Sequence, residues 1–264
     1  MFHAPEIHVV EEVSQWAAEA ATLILKLQGQ IVAERGRFTI ALSGGQTPKL
    51  VYERLVRASL HERDVWKSTH FFFGDERCVP PVDPDSNFRL AEEALFRPLD
   101  IRQDCVHRMR GELSDADEAA REYEGVLRSV TVTGSSPWPH LDLVLLGVGN
   151  DGHTASLFPG TDALREHRRW VTVGRAPSVP RTRLTLTLGV INQATVVLFL
   201  ASGESKAGII KTILEPRQEI DRQLPAALVR PERGRLIWLL DRPAAALLTQ
   251  RDERTVRGRH DTGW

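Results

Sequence analysis

Cysteine, net charge and long apolar runs are all scarce in this chain of 264 residues, and each scarcity excludes something. Two cysteines, Cys78 and Cys105, cannot build a disulfide framework, and they suit a reducing compartment. Cys78 follows Arg77 but sits in no nucleophile signature, so it reads as a plain small side chain. No apolar run approaches the ~20 residues that span a bilayer. Met1 to Glu12 carries acids and lacks a cationic stretch ahead of an apolar one, so it does not read as a secretory signal. The expected location is cytoplasmic. A formal net charge of -1 gives no whole-molecule attraction to nucleic acid or to a membrane surface. His/Cys spacings of the zinc type are missing, and Asp83-Pro84-Asp85, which could suggest a metal, has the composition of a turn. No metal is expected. Repeats, low-complexity tracts and linkers are missing too. The expectation is one domain over residues 1–264, with a polar, frayed tail over 251–264.

What is present has the pattern of an α/β protein. Short apolar runs at residues 7–10, 38–42, 70–73, 141–146, 195–200 and 236–240 read as strands. Between them lie segments with helical spacing. Val13, Trp16, Ala17, Ala20, Leu23, Ile24 and Leu27 form one apolar face. A second helix starts near Pro48 and turns Leu50, Val51, Leu55 and Val56 inward. Further helices are expected over Asn87 to Phe96, Asp115 to Val130, and up to Leu214, with a surface loop at Thr133 to Pro137. Val79 to Asp85 holds three prolines and reads as an irregular loop. The section after Pro159 reads as Arg-rich and irregular. Arg183 to Leu188 alternates strictly, the pattern of a half-exposed strand. Strands alternating with helices imply a doubly wound, Rossmann-like α/β/α sandwich with a mostly parallel sheet.

The stretch from Leu141 to Pro159 organises this pattern. An apolar run ends at Gly147, and Asn150, Asp151, His153 and Thr154 follow at once. Ligands of open α/β sheets bind just beyond the carboxyl ends of such strands. Gly147-Val148-Gly149-Asn150-Asp151-Gly152 also fits the G-x-G-x-x-G dinucleotide pattern. That motif needs a long helix at the third glycine and an acid about 20 positions on. Pro159 stops any helix within about two turns, and the stretch Trp170 to Arg175 offers no acid. A nicotinamide or flavin site is therefore disfavoured.

Three more polar clusters follow predicted strands: Ser43-Gly44-Gly45-Gln46-Thr47, Gly74-Asp75-Glu76-Arg77 and Ser202-Gly203-Glu204-Ser205-Lys206. If the strands are parallel, all four clusters lie along one sheet edge and make one cleft. The first is a glycine turn leading into a helix N-terminus, where free N–H groups and the helix dipole favour an anion. It lacks the Gly-Lys-Ser/Thr of a P-loop. Arg77 and Lys206 stand at strand ends where a phosphate could meet them. His153, beside Asp151 in a glycine-flanked turn, is the candidate general base.

Six stretches carry a family resemblance: Ala41 to Pro48, Gly74 to Pro80, Ser86-Asn87-Phe88, Leu141 to Pro159, Arg183 to Thr187 and Gly203 to Lys206. In this order, across nearly the whole chain, they resemble the 6-phosphogluconolactonases, which share their fold with the glucosamine-6-phosphate deaminases. The resemblance implies hydrolysis of 6-phospho-D-glucono-1,5-lactone to 6-phosphogluconate, a step of the pentose phosphate pathway, with no cofactor; the chain is expected to be a monomer, although its sequence does not fix the oligomeric state. It implies His153 as the catalytic histidine, and Asp151, beside it in the turn, is expected to act with it. It implies a sugar-phosphate site lined by Gly44, Gly45, Thr47, Asp75, Arg77, Arg183 and Lys206, and Ser43 and Asn87, in the same matching stretches, are expected to bind substrate as well. Which of the three cations meets the phosphate, and whether Asp151 or Asp75 orients His153, stay open at this level. Deaminases carry an acid five residues after the histidine, where this chain has Phe158, and tend to have Tyr where it has Arg77. Both departures favour the lactonase over the deaminase. A sugar-phosphate sensor without turnover would not need His153 with Asp151. A covalent route through Ser43 lacks the G-x-S-x-G elbow.

Overall fold

The computed structural model describes residues 4–131 and 138–249. The expected loop at Thr133 to Pro137 and the expected tail over 251–264 lie outside them. The strands are β1 (Glu6–Val10), β2 (Phe38–Leu42), β3 (Thr69–Phe73), β4 (Asp75–Arg77), β5 (Leu143–Leu146), β6 (Val171–Arg175), β7 (Thr182–Leu186), β8 (Val196–Ala201) and β9 (Arg235–Asp241). Six of them form a parallel sheet in the order β1-β9-β8-β5-β2-β3. Every residue of β2, β5 and β8 is buried, as continuous apolar runs covered on both faces should be.

Helices flank this sheet. α1 (Val13–Arg35) buries Trp16, Ala20, Ile24 and Leu27, and the Trp16 indole donates to the Leu239 carbonyl at 3.1 Å. α2 (Gln46–Ser59) buries Pro48, Val51, Tyr52 and Leu55. Leu50 does not turn inward: it is half exposed, because one residue's rotation from Val51 takes it off that stripe. Val13, the first residue of α1, is also exposed. α3 (Asn87–Ala91) starts on a Ser86 cap and runs on through a π turn to Leu99, three residues past the expected end at Phe96.

The second sheet is a departure from the sequence reading. β4, β7 and β6 form an antiparallel three-stranded sheet with β7 in the middle. Gly74 to Arg77 thus does more than close β3, and the section after Pro159 contains a strand. β7 is not half exposed: Arg183 to Leu186 are all buried. Its threonines alternate for another reason. The Thr185 hydroxyl accepts the Ser156 amide and donates to the Leu186 carbonyl, and Thr187 donates to Arg169, so protein groups replace the water that alternation suggests. Gly74 joins the two sheets. Its N–H donates to Leu42 of β2 at 2.8 Å, and its carbonyl accepts from Leu186 of β7 at 2.8 Å.

β2 and β5 are neighbours in the sheet, yet the chain leaves them in opposite directions, β2 toward β3 and β5 toward β8 and β9. Their carboxyl ends therefore open a crevice at a topological switch point.

Candidate active site

The four strand-end clusters meet in that crevice. Ser43, Gly44, Gly45, Thr47, Asp75, Arg77, Asn87, His153 and Lys206 line one cleft of ≈ 250 Å³, together with Gly147, Val148 and Gly149. Asp151 and Arg183 are not in its wall; Asp151 bonds to His153, and Arg183 pairs with Arg77 across β4 and β7. A larger groove of ≈ 610 Å³ runs along α2 and α3, but it shares only Gln46 with the cleft and holds no histidine or glycine turn.

β2 leads into Ser43, whose backbone is locked by Tyr52. The tyrosine hydroxyl donates to the Ser43 carbonyl at 2.6 Å and accepts its N–H at 3.1 Å. Gly44 lies so close to Asn87 that a Cβ there would meet Asn87 Oδ1 at 1.8 Å. Gly45 precedes α2 with φ 99°, a conformation open to glycine. α2 therefore begins at Gln46, earlier than its proline suggests, with its N-terminal turn at the cleft.

His153 sits opposite. Its Nδ1 lies 2.5 Å from Asp151 Oδ1, and its backbone N–H donates to the same oxygen at 3.1 Å. Burial opposes ionisation of Asp151, but the hydrogen bonds from the His153 backbone and ring outweigh it and hold the carboxyl below its usual range. An ionised carboxylate only accepts, so Nδ1 donates to it, and in the neutral form of the ring Nε2 is the nitrogen left with a lone pair. The Phe158 ring packs against the imidazole with centroids 4.4 Å apart. A Cβ on Gly149 would meet His153 Nδ1 at 2.0 Å and Asp151 Oδ1 at 2.6 Å, so only glycine leaves room for this pair.

Asp75 is committed elsewhere. Its carboxylate accepts from the Ser156 hydroxyl at 2.6 Å and from the Asn87 amide at 3.2 Å. Asp151, then, is the carboxylate bonded to the imidazole. Glu76 is almost fully buried and accepts from the amides of Arg77, Asn87 and Phe88 and from the Ser86 hydroxyl, so it anchors the start of α3. Burial nevertheless pushes its carboxyl above the usual range.

The cations divide between two sides. Arg77 and Arg183 face each other in the β4–β7 pairing. Burial lowers the Arg183 pKa, and the neighbouring Arg77 charge lowers it further. Arg77 Nε and Arg183 Nε and Nη1 are buried with no hydrogen-bond partner among the described residues. Lys206 lies on the other side, where its Nζ donates to Asn150 Oδ1 at 2.9 Å. Burial lowers its pKa against the opposing pull of Asp151.

Some supporting residues escaped the sequence reading. Tyr52 and Ser156, which hold Ser43 and Asp75, were not singled out there. Asp241 closes β9 and accepts from the Ser202 hydroxyl and the Gly203 amide, which fixes the loop ahead of Lys206. The available signal was an acid at the end of an apolar strand. Asp83 accepts the Asp85 amide at 2.8 Å, a turn contact.

A sequence profile described as glucosamine-6-phosphate isomerases/6-phosphogluconolactonase matches residues 11–238, a span that contains all four clusters. The chain belongs to this family. A family protein of Synechocystis sp. named 6-phosphogluconolactonase is 41% identical over 241 residues, which is 91% of this chain and 97% of that one. A solved structure of 6-phosphogluconolactonase from Trypanosoma cruzi matches with TM-score 0.84 and 32% identity over 95% of this chain and 99% of its own. A monomeric glucosamine-6-phosphate deaminase matches with TM-score 0.76 over 92% of this chain and 100% of its own; at 24% identity that likeness is one of fold.

Proposed function

We propose that the chain hydrolyses 6-phospho-D-glucono-1,5-lactone to 6-phospho-D-gluconate by histidine-assisted attack of water. The observation that carries this is His153, bonded to Asp151, in the wall of a cleft that also holds a helix N-terminus, Arg77 and Lys206. His153 Nε2 takes a proton from water as the water oxygen bonds to the lactone carbonyl carbon. The tetrahedral intermediate then breaks its bond to the ring oxygen, which recovers the proton from the imidazolium. The product is the open-chain acid. Lys206, bonded to Asn150 on the His153 side of the cleft, would offset charge on the carbonyl oxygen. The amides of Ser43 and Gly149 already have partners, Tyr52 and the His153 carbonyl. That leaves the Gly44 and Gly45 amides and the first turn of α2 for the phosphate, with Arg77 and Arg183 supplying charge.

A deaminase reading is disfavoured by Phe158, whose apolar ring against His153 cannot transfer a proton. The test is turnover of freshly made phosphogluconolactone, with spontaneous opening subtracted. Substrate without phosphate should show a far lower kcat/KM, and glucosamine 6-phosphate should release no ammonia. Equal efficiency on both lactones would remove the assigned phosphate site, and turnover no faster than the background would remove the function.

A further inference from the structure

The geometry of the Asp151–His153 pair depends on the one residue between them, Gly152. It has φ 81° and is buried, although Asp151 is exposed and His153 only half-buried. Something must cover it, and that cover comes from far along the chain. A Cβ on Gly152 would meet three atoms of Leu224 at 3.0, 3.1 and 3.2 Å. The Gly152 carbonyl accepts the Ala226 amide at 3.0 Å. We propose that the segment Glu219–Leu228 positions the Asp151–His153 pair, with Leu224 pressing on Gly152 and Ala226 tethering its carbonyl.

The segment is built to hold those two groups still. Leu224 lies between two 3₁₀ turns, Glu219–Gln223 and Pro225–Leu228. The Asp221 carboxylate ties the first turn by accepting the Arg217 and Gln218 amides. Pro225 opens the second turn with φ fixed by its ring, and Ala226, next in line, is buried. Gly152 can rotate freely unless it is held, because it lacks a Cβ. Its left-handed backbone is what lets the Asp151 carboxylate reach both the amide and the ring of His153. A loosened Gly152 would leave both side chains in place and lose their alignment. Leu224 and Ala226 do not line the cleft, so they are positioning residues.

This inference rests on His153 being the general base, and its test has a readout that does not. In Leu224→Ala, kcat should fall about ten- to a hundredfold, because misplacing a catalytic group by about 1 Å has a cost of that order. KM should stay within about twofold, since the phosphate site lies on other loops. Leu224→Met should restore most of kcat. Leu27→Ala, in α1, serves as a control that destabilises the fold away from the loop and should leave kcat unchanged. The independent readout is the titration of His153 followed by NMR, with His153→Ala used to assign the signal. Leu224→Ala should shift that titration by weakening the bond to Asp151, whether or not the protein turns over the lactone. An unchanged titration in a folded Leu224→Ala protein would overturn the proposal. So would a kcat loss matched by the Leu27→Ala control. A wild type without turnover would sink the proposed function alone.

Discussion

Removing the His153 ring takes away a half-buried side chain that packs on Phe158 and leaves the sheet untouched. His153→Ala should therefore fold and still bind 6-phosphogluconate, while turnover falls by about 10²–10⁴, the usual worth of a general base. Turnover within threefold of wild type would remove His153 from the mechanism. Gly149→Ala makes a sharper companion. The added methyl would occupy space taken by the imidazole and the Asp151 carboxylate, so it should lower kcat by a similar order without deleting either group. Circular dichroism should show a folded protein in both variants; a Gly149→Ala enzyme with wild-type kcat would mean that the pair tolerates displacement. His153 and Asp151 were legible in the sequence, since a polar cluster after an apolar run marks a strand end. The need for glycine at 149 was not, because it arises from a side chain that folds back over the turn.

At the scale of elements, α3 hangs from β4 through one carboxylate. Glu76 receives three amides and a hydroxyl, and almost no water reaches it. Glu76→Ala would strand those donors, at a cost on the order of 3 kcal/mol, measurable by chemical denaturation. It would also free Asn87, which packs against Gly44, so substrate affinity should weaken along with stability. A variant as stable as wild type would show that water replaces the carboxylate. The inner strands could be read in advance because strands covered on both faces are apolar throughout: the expected 38–42 run is β2, and 236–240 lies within β9. β4 could not. It is three polar residues, Asp75, Glu76 and Arg77, and their extended form is imposed by pairing with β7. The same pairing buries β7, so the alternation of Arg183 to Leu188 misled about its surroundings.

For the molecule as a whole, acid should be the weak side. His70 on β3 and His107 lie with Nδ1 and Nε2 3.0 Å apart, and the His107 ring stacks on Phe72. Burial pulls His70 below its usual range, helped by the Arg37 charge. Burial pulls His107 down to about 4, helped by His70. Both are depressed, so the fold keeps them neutral while the unfolded chain takes up protons near pH ≈ 6.5. The stability they allow is present above that pH and is lost as pH falls toward about 4. The melting temperature should drop over this window, and His107→Phe, which keeps a ring on Phe72, should flatten the drop. A melting temperature independent of pH there would show that neither ring resists protonation. None of this was visible beforehand, since His70 and His107 meet only after β3 is placed.

Gly74 gives the two sheets a shared residue, with its N–H bonded into one and its carbonyl into the other. The cleft floor is therefore spliced: strands that carry Ser43 and strands that carry Arg77 and Arg183 cannot swing apart as separate bodies. The site should be ready-made, with substrate entering an open crevice in place of drawing two halves together. Hydrogen exchange offers the view of this. The amides of Gly74 and Leu186 should be among the last to exchange, and saturating 6-phosphogluconate should leave their protection nearly unchanged.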